Sequence, residues 1–390
     1  MTPGARYAAA AQLLDAWTPG ESIDRALAAW GRASRFAGSK DRAAVADHVY
    51  DALRRWRSLG WGREDGARAR ILALAQEADA LQTFDGQGHA PPPPTAQERA
   101  WLSGRAEALA EAPEGVRLDL PDDLLTDWRA SLGEAAAPVA LALTRRAEVD
   151  LRVNVARTTV QAARARLEEE GVETAPGPLS PDCLRILAGA RRLRAAGAYL
   201  DGWVEVQDAA SQAAAAFAEA QAGERALDWC AGGGGKALAL AAQGARVTAH
   251  DAAPRRMRDL PARALRAGAR IDVLPGAPPV GARYDLVFVD APCSGSGAWR
   301  RNPDGKWSLA PARLARLRHA QAEALHAAAR HVAPGGRLIY ATCSLLDAEN
   351  ADQADAFAAQ DAFEPGSERR LTPLDGADGF YMKRFRRNSR

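Results

Sequence analysis

The stretch from Tyr284 to Trp307, YDLVFVDAPCSGSGAWRRNPDGKW, decides how the chain is to be read. Its first part, Tyr284 to Val289, is a β-branched and aromatic run of the kind that forms a strand buried on both faces. Asp290 then stands where the carboxyl end of that strand opens into a crevice, the usual place for a ligand in an open α/β sheet. Pro292, Cys293 and a Ser/Gly loop follow, so a thiol is offered at the strand tip on backbone able to bend closely around a ligand.

Working outward, the chain from Gln207 onward alternates strands and helices. A helix runs to Gln221, then come strand ALDWC, a helix from Lys236, strand RVTAH, a helix around Arg255 to Ala267, the quoted strand, a helix from Pro311 to Val332 and strand RLIYAT. Such alternation predicts a doubly wound parallel sheet of Rossmann type. ALDWC runs straight into AGGGGK and a helix, a turn that lets backbone approach a ligand and points free N–H groups at an anion. About twenty residues on, Asp251 closes the next strand, where an acid holds a ribose diol. A glycine-rich turn by itself fits NAD, FAD, S-adenosylmethionine or a plain tight turn. The second half of the sheet discriminates, because its strand tips carry Cys293 and Cys343, and both should face one crevice. Hydride transfer asks for no thiol. Transfer of one carbon to C5 of a pyrimidine does, since that carbon becomes nucleophilic only after a thiolate adds to C6.

Composition bounds the remaining choices. The chain has 390 residues and a net charge of +2, with lysine confined to Lys40, Lys236, Lys306 and Lys383 among many arginines. That length allows two or three domains, and the near-neutral balance excludes a polybasic coat while permitting a local basic cleft. Cys183, Cys230, Cys293 and Cys343 show no metal spacing, and no signal peptide or apolar run of membrane length is visible. The sequence is therefore read as cytosolic, with no zinc, magnesium or membrane partner. His319, His326 and His331 share one predicted helix without metal spacing. Cys183 is read as core and Cys230 as a packing residue whose backbone makes the contact.

The first third is predicted all-helical. Apolar residues recur at helical spacing from Ala5 to Trp61, and Ser39-Lys40-Asp41 looks like a helix entry. Pro91 to Pro94 form a stiff connector, followed by helices from Gln97 to Ala112 and from Asp122 to Leu143. At Val149 the period becomes strand-like in DLRVNV, with a helix from Val160 to Glu170, a turn at Ala175-Pro176-Gly177 and short strands near Leu184 and Trp203. The resulting division is 1–120 helical, 121–200 connector and small α+β subdomain, and 201–390 catalytic.

DWCAGGGGK, DAPCSGSGAWRRNPDGKW and YATCSLLDAEN resemble the successive motifs of the NOL/NOP/Sun family of RNA 5-methylcytosine methyltransferases, and LRVN and WVEVQDAASQ resemble the segments preceding its catalytic domain. The resemblance spans roughly Pro121 to the end. It implies that Cys343 is the nucleophile at C6 and that Cys293 assists product release. It also implies that Cys230, Ala231, Gly232, Gly233, Gly234, Gly235, Lys236, Asp251 and Asp290 hold S-adenosylmethionine, with Asp272 the only acid placed to face the adenine. The helical third is similar to the RNA-binding domain of the antitermination factor NusB, most of all in DRAAVADHVYDALRR. That layout is the one of the bacterial branch acting on small-subunit (16S) ribosomal RNA. A monomer with an RNA substrate follows, with the target base unstacked and seated between the small α+β unit and the catalytic sheet.

Arg300, Arg301 and Lys306, just past the thiol loop, are expected to contact RNA phosphates, although Lys306 could instead order its loop. The family usually has CAAPGGKT in the cofactor loop. Here Gly233 replaces the proline and Ala237 the threonine, which costs the loop preorganisation and implies weaker cofactor affinity. Three rival readings stand beside this one: the same chemistry on tRNA or another ribosomal site, a catalytically weak RNA-binding assembly factor, and a dinucleotide oxidoreductase.

Overall fold

The computed structural model describes residues 1–63, 66–359 and 362–389. It separates into two compact units that do not follow the chain in simple blocks. One consists of Met1–Arg146 together with Ala298–Pro311, the other of Ala147–Gly297 with Ala312–Arg390. Grouped by contacts in this way, the helices to Leu143 fall with the helical unit and the small α+β segment falls with the catalytic sheet.

The helical unit begins with Pro3–Ala16, where Thr2 caps the Ala5 N–H at 3.2 Å and Pro3 occupies a position whose missing N–H costs nothing. Helices Ile23–Ala33, Ser39–Arg54, Trp56–Gly60 and Ala67–Glu77 follow. The helical spacing seen in the sequence is the buried stripe: Tyr7, Leu14, Val45, Val49, Leu53, Ile71 and Leu72 lie together in one core. Full burial of each such aliphatic side chain contributes about 1.5–3 kcal/mol. Pro91 to Pro94 form the expected irregular connector, and Thr95 with Glu98 then closes a capping box on Ala96–Ala110. The long helix expected from Asp122 to Leu143 is broken at Gly133, whose φ of 54° is left-handed, into Leu125–Leu132 and Ala136–Leu143.

The second unit holds two sheets. Strands β1 (Asp150–Val153), β2 (Glu173–Pro176), β3 (Cys183–Ala188) and β4 (Val204–Val206) form an antiparallel sheet of order β2-β3-β1-β4, covered by helix Val160–Glu169. The turn expected at Ala175-Pro176 is instead the end of β2. Proline is admissible there because β2 is an edge strand.

The larger sheet comprises β5 (Arg225–Asp228), β6 (Arg246–Ala249), β7 (Ile271–Val273), β8 (Tyr284–Asp290), β9 (Val332–Thr342), β10 (Phe363–Leu371) and β11 (Phe380–Arg387), in the order β10-β11-β9-β8-β5-β6-β7. From β9 to β7 the pairs are parallel, as the alternation predicts. The wholly parallel reading is corrected at one edge, where β11 and β10 run antiparallel to their neighbours. β8 is buried along Leu286, Val287, Phe288 and Val289, with Leu286 and Phe288 packing into one core layer and Val287 and Val289 into the other. The tips of β5, β6, β8 and β9 therefore share one rim.

Candidate active site

Parallel pairing sets the distance between the two thiols. β8 and β9 are neighbours in register, Asp290 opposite Ala341, so Cys293 and Cys343 leave adjacent strand ends within three residues of that pair. Their sulfurs lie 3.4 Å apart, and both cysteines are partly exposed. The hydrogen bond to Cys343 and burial, reinforced by the nearby Glu349 and Asp290 carboxylates, push the Cys293 thiol well above its usual range. The two sulfurs are within hydrogen-bonding distance, with either able to donate. Backbone must pass very closely beside them: a Cβ at Gly297 would stand 2.2 Å from the Gly379 carbonyl oxygen.

Next to the thiols lies a cavity of about 310 Å³. Of the residues expected to hold the cofactor, Cys230, Ala231, Gly232, Gly233, Gly235, Lys236 and Asp290 line it. Gly234 supports the turn from behind: its φ of 79° starts helix Gly235–Ala242, and a Cβ there would meet Leu260 at 2.1 Å. Lys236 crosses to Asp290, Nζ to Oδ2 at 2.6 Å. Burial works against its ammonium, but the Asp290 carboxylate outweighs that and raises the Lys236 pKa. Cys230 is a half-buried thiol raised in pKa by burial, and Cys183 sits in the core, raised to about 12.

Asp251 does not line the cavity. It braces the glycine turn, taking the Gly232 N–H at 2.9 Å, the Ala253 N–H at 2.8 Å and the Arg256 guanidinium at 3.0 Å. Asp272 is not brought to the cradle either. It lies within β7 between Ile271 and Val273, which pack inward, so strand alternation turns it to solvent.

Several cavity residues escaped the sequence reading, Arg263 and Asp228 among them. Arg263 donates to the Gly233 carbonyl and pairs with Glu205 at 3.3 Å, reaching the loop from helix Leu260–Ala267. Asp228, at the end of β5, is 1% exposed; the Ala237 N–H points at its carboxyl without closing a well-formed hydrogen bond. Burial raises its pKa to about 7 against the pull of Lys236. Its position at the tip of the first parallel strand was the available signal; no pattern signals Arg263.

The expected phosphate contacts divide. Arg301 is part-exposed, but Arg300 and Lys306 are buried in the helical unit. There Arg54 Nε donates to the Arg300 carbonyl at 2.7 Å, and Lys306 Nζ donates to the Arg54 carbonyl at 2.9 Å. Burial lowers the Lys306 pKa to about 8, with Asp119 pulling it back up. Trp307 donates to the Leu53 carbonyl at 2.6 Å, and Trp299 stacks on Trp128. The expectation for Lys306 is corrected: an ammonium at 1% exposure is occupied with ordering its own segment. Among the described residues no His/Cys/Asp/Glu group could hold a metal, and no helix is long and apolar enough to cross a membrane.

The sheet thus carries a glycine-lined cradle and, at the neighbouring strand ends, two adjacent thiols. Comparison with known proteins gives the family. Residues 215–385 match the model of 16S rRNA methyltransferase RsmB/F, and residues 120–191 match the ferredoxin-like domain of RsmF/B-like methyltransferases. The ribosomal RNA small subunit methyltransferase B of Thermus thermophilus is 32% identical over 89% of this chain and 89% of its own. Its Klebsiella pneumoniae counterpart is 36% identical over 61% of this chain, a match spanning only 59% of that relative's length. The crystal structure of PH0851 shares the fold with a TM-score of 0.75 at 21% identity, covering 99% of each chain. The chain belongs to the RsmB/F family of 16S rRNA methyltransferases.

Proposed function

We propose that this protein methylates C5 of a cytosine in 16S ribosomal RNA, with S-adenosylmethionine as methyl donor and Cys343 as nucleophile. The observation that carries the reading is the pair of sulfurs 3.4 Å apart beside the cradle, since a methyl transfer without a covalent adduct has no use for them. Bound there, S-adenosylmethionine supplies an electrophilic methyl group. The cradle suits it: backbone at Gly232 and Gly235 is open to close approach, and the buried Asp228 carboxyl, with no well-formed hydrogen bond of its own, suits an ammonium or hydroxyl donor.

Cys343 Sγ bonds to C6 of the cytosine, which makes C5 electron-rich. Cys293 lies within hydrogen-bonding distance of the Cys343 sulfur, placed to serve the release step rather than the attack. Once C5 carries the methyl, its proton passes to a base, for which Cys293 as a thiolate is placed; the C5–H electron pair re-forms the C5–C6 double bond as the C6–S bond breaks, and Cys343 leaves with that bond's electrons as a thiolate. Asp290, fixed by Lys236, anchors the side of the crevice shared by cofactor and base. The base must leave its stack to admit a sulfur to C6, so a loop or junction is the substrate. The helical unit serves as an RNA-binding module of NusB type, and the enzyme acts as a cytoplasmic monomer.

The test is methylation of 16S RNA by purified protein with labelled S-adenosylmethionine, mapped by bisulfite sequencing. Cys343→Ala should lose both methylation and the denaturant-resistant protein–RNA adduct; full residual activity would remove Cys343 as nucleophile.

A further inference from the structure

Behind the thiols lies a buried carboxylate that the reaction just described does not use. Glu349 is fully buried, directly after β9 and the Cys343 loop. Its Oε1 accepts the Ser294 N–H at 2.8 Å and the Gln321 side-chain N–H at 2.9 Å. Its Oε2 accepts the Ser344 hydroxyl at 2.6 Å and the Ser294 hydroxyl. Ser294 follows Cys293 and Ser344 follows Cys343, so one side chain holds the neighbours of both thiols. Gln321 also grips the Pro292 carbonyl at 3.0 Å, on the other side of Cys293.

Ser296 accepts the Leu345 N–H at 2.8 Å and faces Ser344 at 3.1 Å, while Ser344 accepts the Leu346 N–H at 3.1 Å. The Ser344 and Ser294 hydroxyls both end on Glu349 Oε2, and Ser296 meets Ser344 with either hydroxyl able to donate. An ionised carboxylate, with four acceptor sites and no proton, satisfies all four donors; an amide does not.

We propose that Glu349 is a positioning residue that fixes the separation of Cys293 and Cys343, and that the release step depends on it. The inference rests on the thiol roles proposed above. Neither sulfur touches Glu349 in this arrangement; the carboxylate acts through the two serines, and loops freed from it would let the sulfurs drift apart.

The test compares full-length wild type with Glu349→Gln. Dibromobimane, which fluoresces when it alkylates two thiols together, is applied without RNA, and Cys293–Cys343 cross-linking is quantified by peptide mapping. The variant should cross-link at least about threefold more slowly although iodoacetamide, with the Glu349 charge removed, alkylates Cys293 no more slowly than in wild type. With RNA and S-adenosylmethionine, turnover should fall about tenfold or more, while the first round of methyl transfer holds within about threefold and a larger share of protein is trapped as adduct. Equal cross-linking and an unchanged adduct share, with only a lower Tm, would overturn the proposal. Should the Gln variant fail to fold, Ser294→Ala and Ser344→Ala each remove one arm, and the same two readouts must move in the same direction or the proposal fails. If wild type itself neither methylates nor forms adduct, the functional reading is at fault, and the cross-linking comparison still decides the role of Glu349.

Discussion

Lys236 and Asp290 meet at 2.6 Å, joining the start of the helix after the glycine turn to the tip of β8. The pair closes one wall of the cavity and leaves the Asp290 carboxylate beside the Cys293 loop. Removing the ammonium leaves a mostly buried carboxylate uncompensated. Lys236→Met should destabilise the protein by about 1–3 kcal/mol and weaken S-adenosylmethionine binding in calorimetry. Adding Asp290→Asn should recover part of the stability, because the two substitutions share one interaction.

Cys293→Ala should still form the adduct, because Cys343 is untouched, but should release it slowly. A protein–RNA complex stable to denaturant should accumulate on a gel in the presence of S-adenosylmethionine. Normal turnover with no such complex would contradict the release role.

The buried Asp228 makes stability pH-dependent in the cofactor-free protein. Its folded pKa of about 7 lies above the ordinary carboxylate value, so between about pH 4 and 7 the folded state keeps a proton that the unfolded chain has lost. Stability contributed by this group is present below that window and lost as the pH rises through it. Asp228→Asn should abolish the loss and exceed wild type above pH 7 by on the order of 3 kcal/mol in urea unfolding. Parallel pH profiles for the two proteins would mean the carboxyl is already ionised in the fold.

Two adjacent glycines should respond oppositely to alanine. At Gly234, left-handed backbone and a Cβ pressed on Leu260 predict a loss of about 1–3 kcal/mol and poorer cofactor binding. At Gly233 the backbone is not left-handed and the neighbour is the end of the Arg263 side chain, 3.0 Å from the added Cβ, so alanine should stabilise by about 0.5 kcal/mol if that guanidinium yields. Chemical denaturation of the two single variants checks the sign of each.

Arg301→Ala should weaken RNA binding across sequences and reduce the slope of log affinity against log salt by about 1. Lys306→Met should leave that slope unchanged and alter the unfolding midpoint instead, because the ammonium it removes is engaged with Arg54 and Asp119 inside the helical unit.

The parts of the fold that repeat a period were readable from the residues alone. β5, β6, β8 and β9 are apolar runs ending in polar or reactive residues, and the glycine turn, Lys236, Cys293 and Cys343 all follow those ends. β10 was not readable because an edge strand disguises itself: in FEPGSERRL, proline, glycine and charge replace the apolar alternation, and only its end residues are buried. Asp272 was named for its residue type, and the pleat turned it away. Glu349 reads in LLDAEN as an ordinary loop acid; its four donors come from Ser294, Ser344 and Gln321, which no local pattern connects. Scarcity of lysine drew attention to Lys236, which lines the cavity, and misleadingly to Lys306, which is buried in the helical unit.

The return of Ala298–Pro311 into the helical unit has a consequence for synthesis. Asp119 emerges from the ribosome long before Lys306, whose buried ammonium faces it. At about 5–20 residues per second the interval is on the order of 10–40 seconds. Through that interval the N-terminal helices lack Lys306, Trp307 and the Trp299 ring that stacks on Trp128. The first unit to be made is thus completed only after translation has passed the Cys293 loop, so its final packing is timed by the catalytic half of the chain.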